Sequence, residues 1–170
     1  MNDKASSLLA GLKNATDGGP WYEGSVGERI AIRISSTDTN GAYAIVESVA
    51  IPDCNVPLHL HRNEEEHLVV LIGTYRIQTE DKIFNAPAGT SVTIPKGARH
   101  SWRNISHETS HLLVVLTPGG FEKCIQTIRD SPADKILEVA AQHGCFLVGP
   151  LVSRLDLIDI GSFQIVSEGG

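Results

Sequence analysis

Residues 57–66 read PLHLHRNEEE and residues 89–104 read GTSVTIPKGARHSWRN. The first block sets His59 and His61 two positions apart. Side chains alternate along a strand, so in an extended segment both imidazoles share one face. Glu66 follows five positions after His61 and stands seven before Gly73, and the second block adds His100. Three neutral imidazoles and one carboxylate form a good donor set for a divalent first-row metal, with room left for water or substrate. Burying four such groups without a partner would be costly, which favours ligation over simple core packing.

Working outward, short strand-like segments fill residues 25–118. Ile30, Ile32 and Ile34 alternate with other residues in the period of a half-buried strand. Asn40 and Gly41 mark a turn ahead of an extended run over residues 42–51. Residues 68–72 form a continuous apolar run that stops at Gly73, and residues 90–94 and 112–116 complete the set. Pro52, Pro57, Gly73, Pro87, Gly89, Pro95, Gly97 and Pro118 punctuate these segments. Many short strands so divided predict an all-β sandwich or barrel. Past residue 118 the periodicity becomes helical, over 121–128 and again over 131–143. There Ser131 is the expected N-cap, Ile136, Leu137, Ala140 and Ala141 the apolar stripe, and Gly144 the stop. Residues 5–13 carry a further short helical pattern through Ala5, Leu8, Leu9 and Leu12.

The blocks resemble the two motifs of the cupin family. His59, His61, Glu66 and Gly73 stand at the spacing of the first motif; Gly89, Pro95, Gly97, His100 and Asn104 stand at that of the second. One position departs from it, since Asp53 occupies the place of a glycine six residues ahead of His59. The chain is similar to quercetin-dioxygenase-like cupins. The resemblance implies a small jelly-roll barrel with one metal near its open end, and a homodimer. It also implies that Glu66, not its neighbours Glu64 and Glu65, is the ligand; those two read as solvated loop charges. On this reading residues 1–24 are an N-terminal extension, 25–118 the barrel, and 119–170 a helical segment and tail packed on it.

Composition bounds the function. The chain has 170 residues, with Lys plus Arg at 14 and Asp plus Glu at 20, a formal charge of -6. That balance argues against a basic nucleic-acid-binding face. No apolar run approaches the roughly 18 residues of a membrane helix, and the first residues lack the basic-then-apolar order of a signal peptide, so a cytoplasmic location is expected. The three cysteines, Cys54, Cys124 and Cys145, are widely spaced and form no CxxC pair. Reduced thiols are expected, with Cys124 filling a core.

Strand parity sketches a substrate pocket. If His100 points inward so does Trp102, and Leu68, Val70, Tyr75 and Ile77 are expected to line the barrel. Tyr43 and Glu47 share a face of their strand with Ile45, Val49 and Ile51, which makes Glu47 either a solvent-facing charge or an acid/base group near the site. Trp21 and Tyr22, adjacent aromatics outside the motifs, are the expected dimer contact. A mostly apolar interior without a cluster of basic residues suits a small organic molecule better than a phosphorylated sugar. The sequence thus favours a metal-dependent dioxygenase in which Glu66 is ligand or general base. The metal would be Fe, Mn, Ni, Co, Cu or Zn. A metal-containing binding or sensor module without turnover, and a cupin isomerase or decarboxylase, are the competing functions.

Overall fold

The computed structural model describes residues 19–149; the short helix expected over residues 5–13 and the tail over 151–170 lie outside them. Two antiparallel sheets face each other. The six-stranded sheet runs in the order β1 (Trp21–Glu23), β2 (Glu28–Ile34), β3 (Ala44–Ala50), β10 (Ser110–Thr117), β5 (Glu65–Ile72), β8 (Ser91–Ile94). The five-stranded sheet runs β11 (Cys145–Leu147), β4 (Asn55–His61), β9 (His100–Asn104), β6 (Thr74–Thr79), β7 (Ile83–Pro87). This is the jelly-roll arrangement, in which alternating residues of both inner faces make the core.

The sheets reach beyond residues 25–118 at both ends. Ahead of that span, β1 pairs with β2, Tyr22 opposite Ile30. Beyond it, β11 returns after the helices to pair with β4, Cys145 opposite His61 and Leu147 opposite His59. Tyr22 is buried in the chain's own core, and Trp21 lies on the outer side with the Arg29 and Arg33 guanidinium groups 5.3 and 4.9 Å from its ring centroid. The expectation that both aromatics form a dimer contact is therefore corrected for Tyr22.

The core takes Leu68 and Val70 from β5, Tyr75 and Ile77 from β6, Trp102 from β9, and Leu112, Val114 and Leu116 from β10. On β3 the inner face belongs to Ala44, Val46, Ser48 and Ala50, all buried. Tyr43 and Glu47 lie on the opposite parity and do not line the interior. Tyr43 is 37% exposed, and Glu47 Oε2 accepts from Arg33 on the outer face while its Oε1 lies 3.3 Å from His111 Nδ1. The larger residues Ile45 and Val49 go outward, and the inner face of β3 shares the core with bulky Tyr75 and Trp102 of the other sheet. Small residues fill the remaining gap.

The helices are α1 (Glu122–Arg129) and α2 (Ile136–Gln142), with a 3-10 turn over Ala133–Lys135 between them. The second helix starts later than the expected residue 131. Ser131 does not cap it, because its hydroxyl donates back to the Thr127 carbonyl of α1 and Pro132 is extended at ψ 147°. The apolar side of α2 also differs from the expected stripe: Val139 and Ala140 pack inward with Cys124 and Cys145, while Leu137 is 45% exposed. Gly144 ends the helix at φ 82°, as expected.

Candidate metal centre

Pairing in the five-stranded sheet sets His59 of β4 directly opposite His100 of β9, and His61 two residues along points the same way. Glu66 comes from β5 of the other sheet, so the four groups meet across the space between the sheets. Their exposures are 7%, 2%, 1% and 3% for His59, His61, His100 and Glu66. One donor atom from each lies within 4.8 Å of all the others. Around a single ion, donors about 2.1 Å from the metal sit at comparable mutual distances.

Loop geometry holds these strands in place. Gly97, at φ 77°, donates its backbone N–H to the His61 carbonyl at 2.7 Å and ties the turn before β9 to the end of β4. Asn104, fully buried at the far end of β9, donates to the carbonyls of Ala50 and Glu108 and accepts from the Ser106 N–H and the Ser110 hydroxyl. All its hydrogen-bonding capacity is used in joining the turn to both sheets. Asp53 adopts φ 63°, a left-handed conformation that Asp tolerates better than most residues. Its carboxylate accepts from Arg103 at 2.8 Å, so the glycine position of the first motif keeps its backbone shape without a glycine.

The electrostatics suit a cation. Glu66 Oε2 and His100 Nε2 lie 2.7 Å apart, yet both remain without an aligned hydrogen bond. Glu66 Oε1 stands 3.3 Å from His61 Nε2. Burial pushes the Glu66 carboxyl upward, but His61 and then His100 outweigh it and hold it down at about 2. Burial, then His100, lowers His59 to about 3. Burial also lowers His61, against the pull of Glu66. His100 goes the other way: Glu66 overcomes its desolvation and raises it. A divalent ion held here would offset the buried negative charge of Glu66. The donor chemistry, the burial and the two unaligned polar atoms all fit a metal ion.

An aromatic wall surrounds the donors. Trp102 lies nearly parallel to the His100 ring at 5.8 Å and meets His59 edge-on at 5.6 Å, and Phe121 meets His61 edge-on at 4.3 Å. The hydroxyl of Tyr75 and Nε1 of Trp102 are buried without a hydrogen-bond partner.

The site has one member that the sequence reading assigned elsewhere. Glu64, expected as a solvated loop charge, is only 4% exposed, and its Oε2 lies 3.8 Å from His61 Nδ1. Burial and then the charge of Glu66 push its carboxyl up to about 7. Parity was the available signal: Glu64 shares it with Glu66, Leu68 and Val70, the inner face of β5. Glu65, on the other parity, is half-exposed with its Oε1 3.2 Å from His67 Nε2.

Comparison with known proteins gives a consistent picture. Quercetin 2,3-dioxygenase of Bacillus subtilis (strain 168) is 28% identical over 134 residues, which is 74% of this chain and 40% of that protein. Mannose-1-phosphate guanylyltransferase 2 of Escherichia coli O157:H7 is 31% identical over 72 residues, 42% of this chain and 15% of that protein. The chain therefore spans less than half the length of either of these curated relatives. Among solved structures, an RmlC-like cupin from Shewanella frigidimarina NCIMB 400 superposes with a TM-score of 0.56 at 14% identity, over 66% of this chain and 95% of that one. The family model described as a cupin domain matches residues 48–116, the stretch that contains all four donors. Over residues 48–116 the chain thus matches the cupin domain, and the two-sheet topology around that stretch agrees with the match.

Proposed function

We propose that the protein is a metal-dependent dioxygenase acting on a small organic molecule that carries an acidic hydroxyl or an enolisable carbonyl. The observation that carries this reading is the convergence of His59, His61, Glu66 and His100 in a buried site walled by Trp102 and Phe121. The named activity of the Bacillus subtilis relative, which matches 74% of the chain, supports the same class. When bound, the metal would supply Lewis acidity toward a substrate oxygen and a place for O2.

The chain's own residues supply the rest. His59, His61 and His100 present imidazole nitrogens, and Glu66, held at about 2, presents an anionic oxygen throughout the neutral range. Such a weak base suits ligation. It can take a substrate proton only after its contact with His100 is broken. Trp102 offers a flat face beside the donors for an aromatic or planar substrate. Leu68, Val70 and Tyr75 keep the space beneath apolar, apart from one unpaired hydroxyl.

The test is O2 consumption by protein loaded with Fe(II), Mn(II), Ni(II), Co(II), Cu(II) or Zn(II), against a panel of flavonols and β-diketones. Oxygen uptake matched by oxidised product, at least tenfold slower in Glu66→Gln, is the expected result. Quantitative recovery of every compound under air, with no oxygen uptake for any metal, would contradict it and favour a binding module.

A further inference from the structure

Two of the three histidine donors have the far side of the ring fixed by backbone. His59 Nδ1 lies 2.8 Å from the Pro57 carbonyl, and His100 Nδ1 lies 2.9 Å from that of Ala98. A carbonyl only accepts, so each Nδ1 carries the hydrogen and each Nε2 keeps its lone pair for the site. In both cases the carbonyl belongs to the residue two positions earlier. His61 departs from this pattern. Its Nδ1 is buried with no hydrogen-bond partner, and the group set against it is the carboxylate of Glu64, Oε2 at 3.8 Å. That oxygen is buried and unpartnered as well. A ring nitrogen and a carboxylate oxygen thus stand 3.8 Å apart, each buried and without a hydrogen-bond partner, directly behind a metal donor.

Resting on the metal-centre reading above, we propose that Glu64 is a positioning residue of that centre, the acceptor for His61 Nδ1–H that keeps His61 Nε2 turned toward the ion. Its place in the chain explains how it gets there. The turn between β4 and β5 is short, and Glu64 stands just ahead of β5 on the parity of Glu66, so its side chain passes under His61 instead of out to water. Partners of this kind fix a ligand's tautomer and raise its basicity, and losing one typically costs 10–100-fold in metal affinity.

The test uses chelator-stripped full-length protein and Co(II) alone as the probe. It compares wild type with Glu64→Met, which fills the volume without a good acceptor, and with Glu64→Gln, whose amide oxygen still accepts. Glu64→Met is expected to bind Co(II) about 10–100-fold more weakly and to shift the Co(II) d–d spectrum. Glu64→Gln is expected to recover most of the affinity and the wild-type band positions, which a purely space-filling role would not produce. Wild-type affinity and spectrum in Glu64→Met would overturn the proposal and leave the metal centre standing. Wild-type protein that takes up no Co(II) would overturn both. Should Glu64→Met not fold, ring 15N shifts of His61 in the zinc-loaded wild-type protein decide the matter. A slowly exchanging proton on Nδ1 supports the role of Glu64, and zinc on Nδ1 overturns it.

Discussion

Glu28 illustrates how one buried carboxyl can depend on its surroundings. It is 3% exposed, accepts from the Ser25 N–H at 3.0 Å and from the Ser48 hydroxyl at 2.5 Å, and burial raises its proton affinity above the ordinary 4.5. The sign follows from linkage. The unfolded chain loses this proton near pH 4.5 while the folded chain keeps it to higher pH. The group's stabilising contribution is therefore complete below that point and declines as pH rises through the raised value. Glu28→Gln removes the titration; its amide oxygen still accepts from the Ser25 N–H, and its amide nitrogen donates to the Ser48 hydroxyl, which reverses that bond. Its stability relative to wild type, measured by urea unfolding between pH 4 and 8, is expected to rise with pH. A difference that is flat or falls across that range would contradict the assignment. Residue identity alone was a good guide where chemistry is distinctive: His59, His61, Glu66 and His100 were legible because four metal-binding types recur at strand spacing. Glu28 and Glu64 were not, since an acidic residue beside a turn ordinarily faces water and only the packing of the second sheet encloses these two.

At the scale of elements, the turn between β5 and β6 carries the strictest local demand. Gly73 sits at φ 83°, and a Cβ there would come within 1.9 Å of the Ser110 hydroxyl and 2.9 Å of that of Ser106. Both hydroxyls belong to the network around Asn104, so neither is free to move aside. Gly73→Ala is expected to lower stability by about 1–3 kcal/mol, read as a reduced urea midpoint with an unchanged slope. An unaltered midpoint would show that the turn tolerates the side chain. Strand positions were legible from glycine and proline punctuation, but strand faces were not always so. On β3 the face of Tyr43, Ile45, Glu47 and Val49 left Glu47 open as a solvent-facing charge or a group near the site, whereas the inner side is that of Ala44, Val46, Ser48 and Ala50. The start of α2 was misplaced for a similar reason: Ser131 has the chemistry of a cap but spends it on α1.

For the whole molecule, the returning chain closes the barrel. After the helices, β11 covers the edge of β4 beside the histidines, and Cys145 joins Cys124 and Ala140 in a small core of its own. No local pattern announced this strand, because its pairing partner lies more than 80 residues back. Closure also governs the thiols: burial pushes Cys54, Cys124 and Cys145 each up to about 12. Native protein at pH 8 is expected to resist Ellman's reagent and to yield three equivalents once unfolded in guanidinium. Rapid labelling of the native state would contradict a closed core. Across the described residues no helix is long and apolar enough to cross a membrane.

Everything proposed for function depends on the ion. Protons and metal compete for the same nitrogens, and Glu66 raises His100 above the ordinary 6.5, so affinity is expected to begin falling above that pH as the solution is acidified. The most direct measurement is the elemental content of protein purified without chelator, set beside that of the His59→Ala/His100→Ala double variant. The account predicts close to one equivalent of a divalent transition metal per chain in the wild type and little in the variant. Equal metal content in the two proteins, or none in wild-type protein dialysed against each candidate ion at pH 7.5, would contradict it.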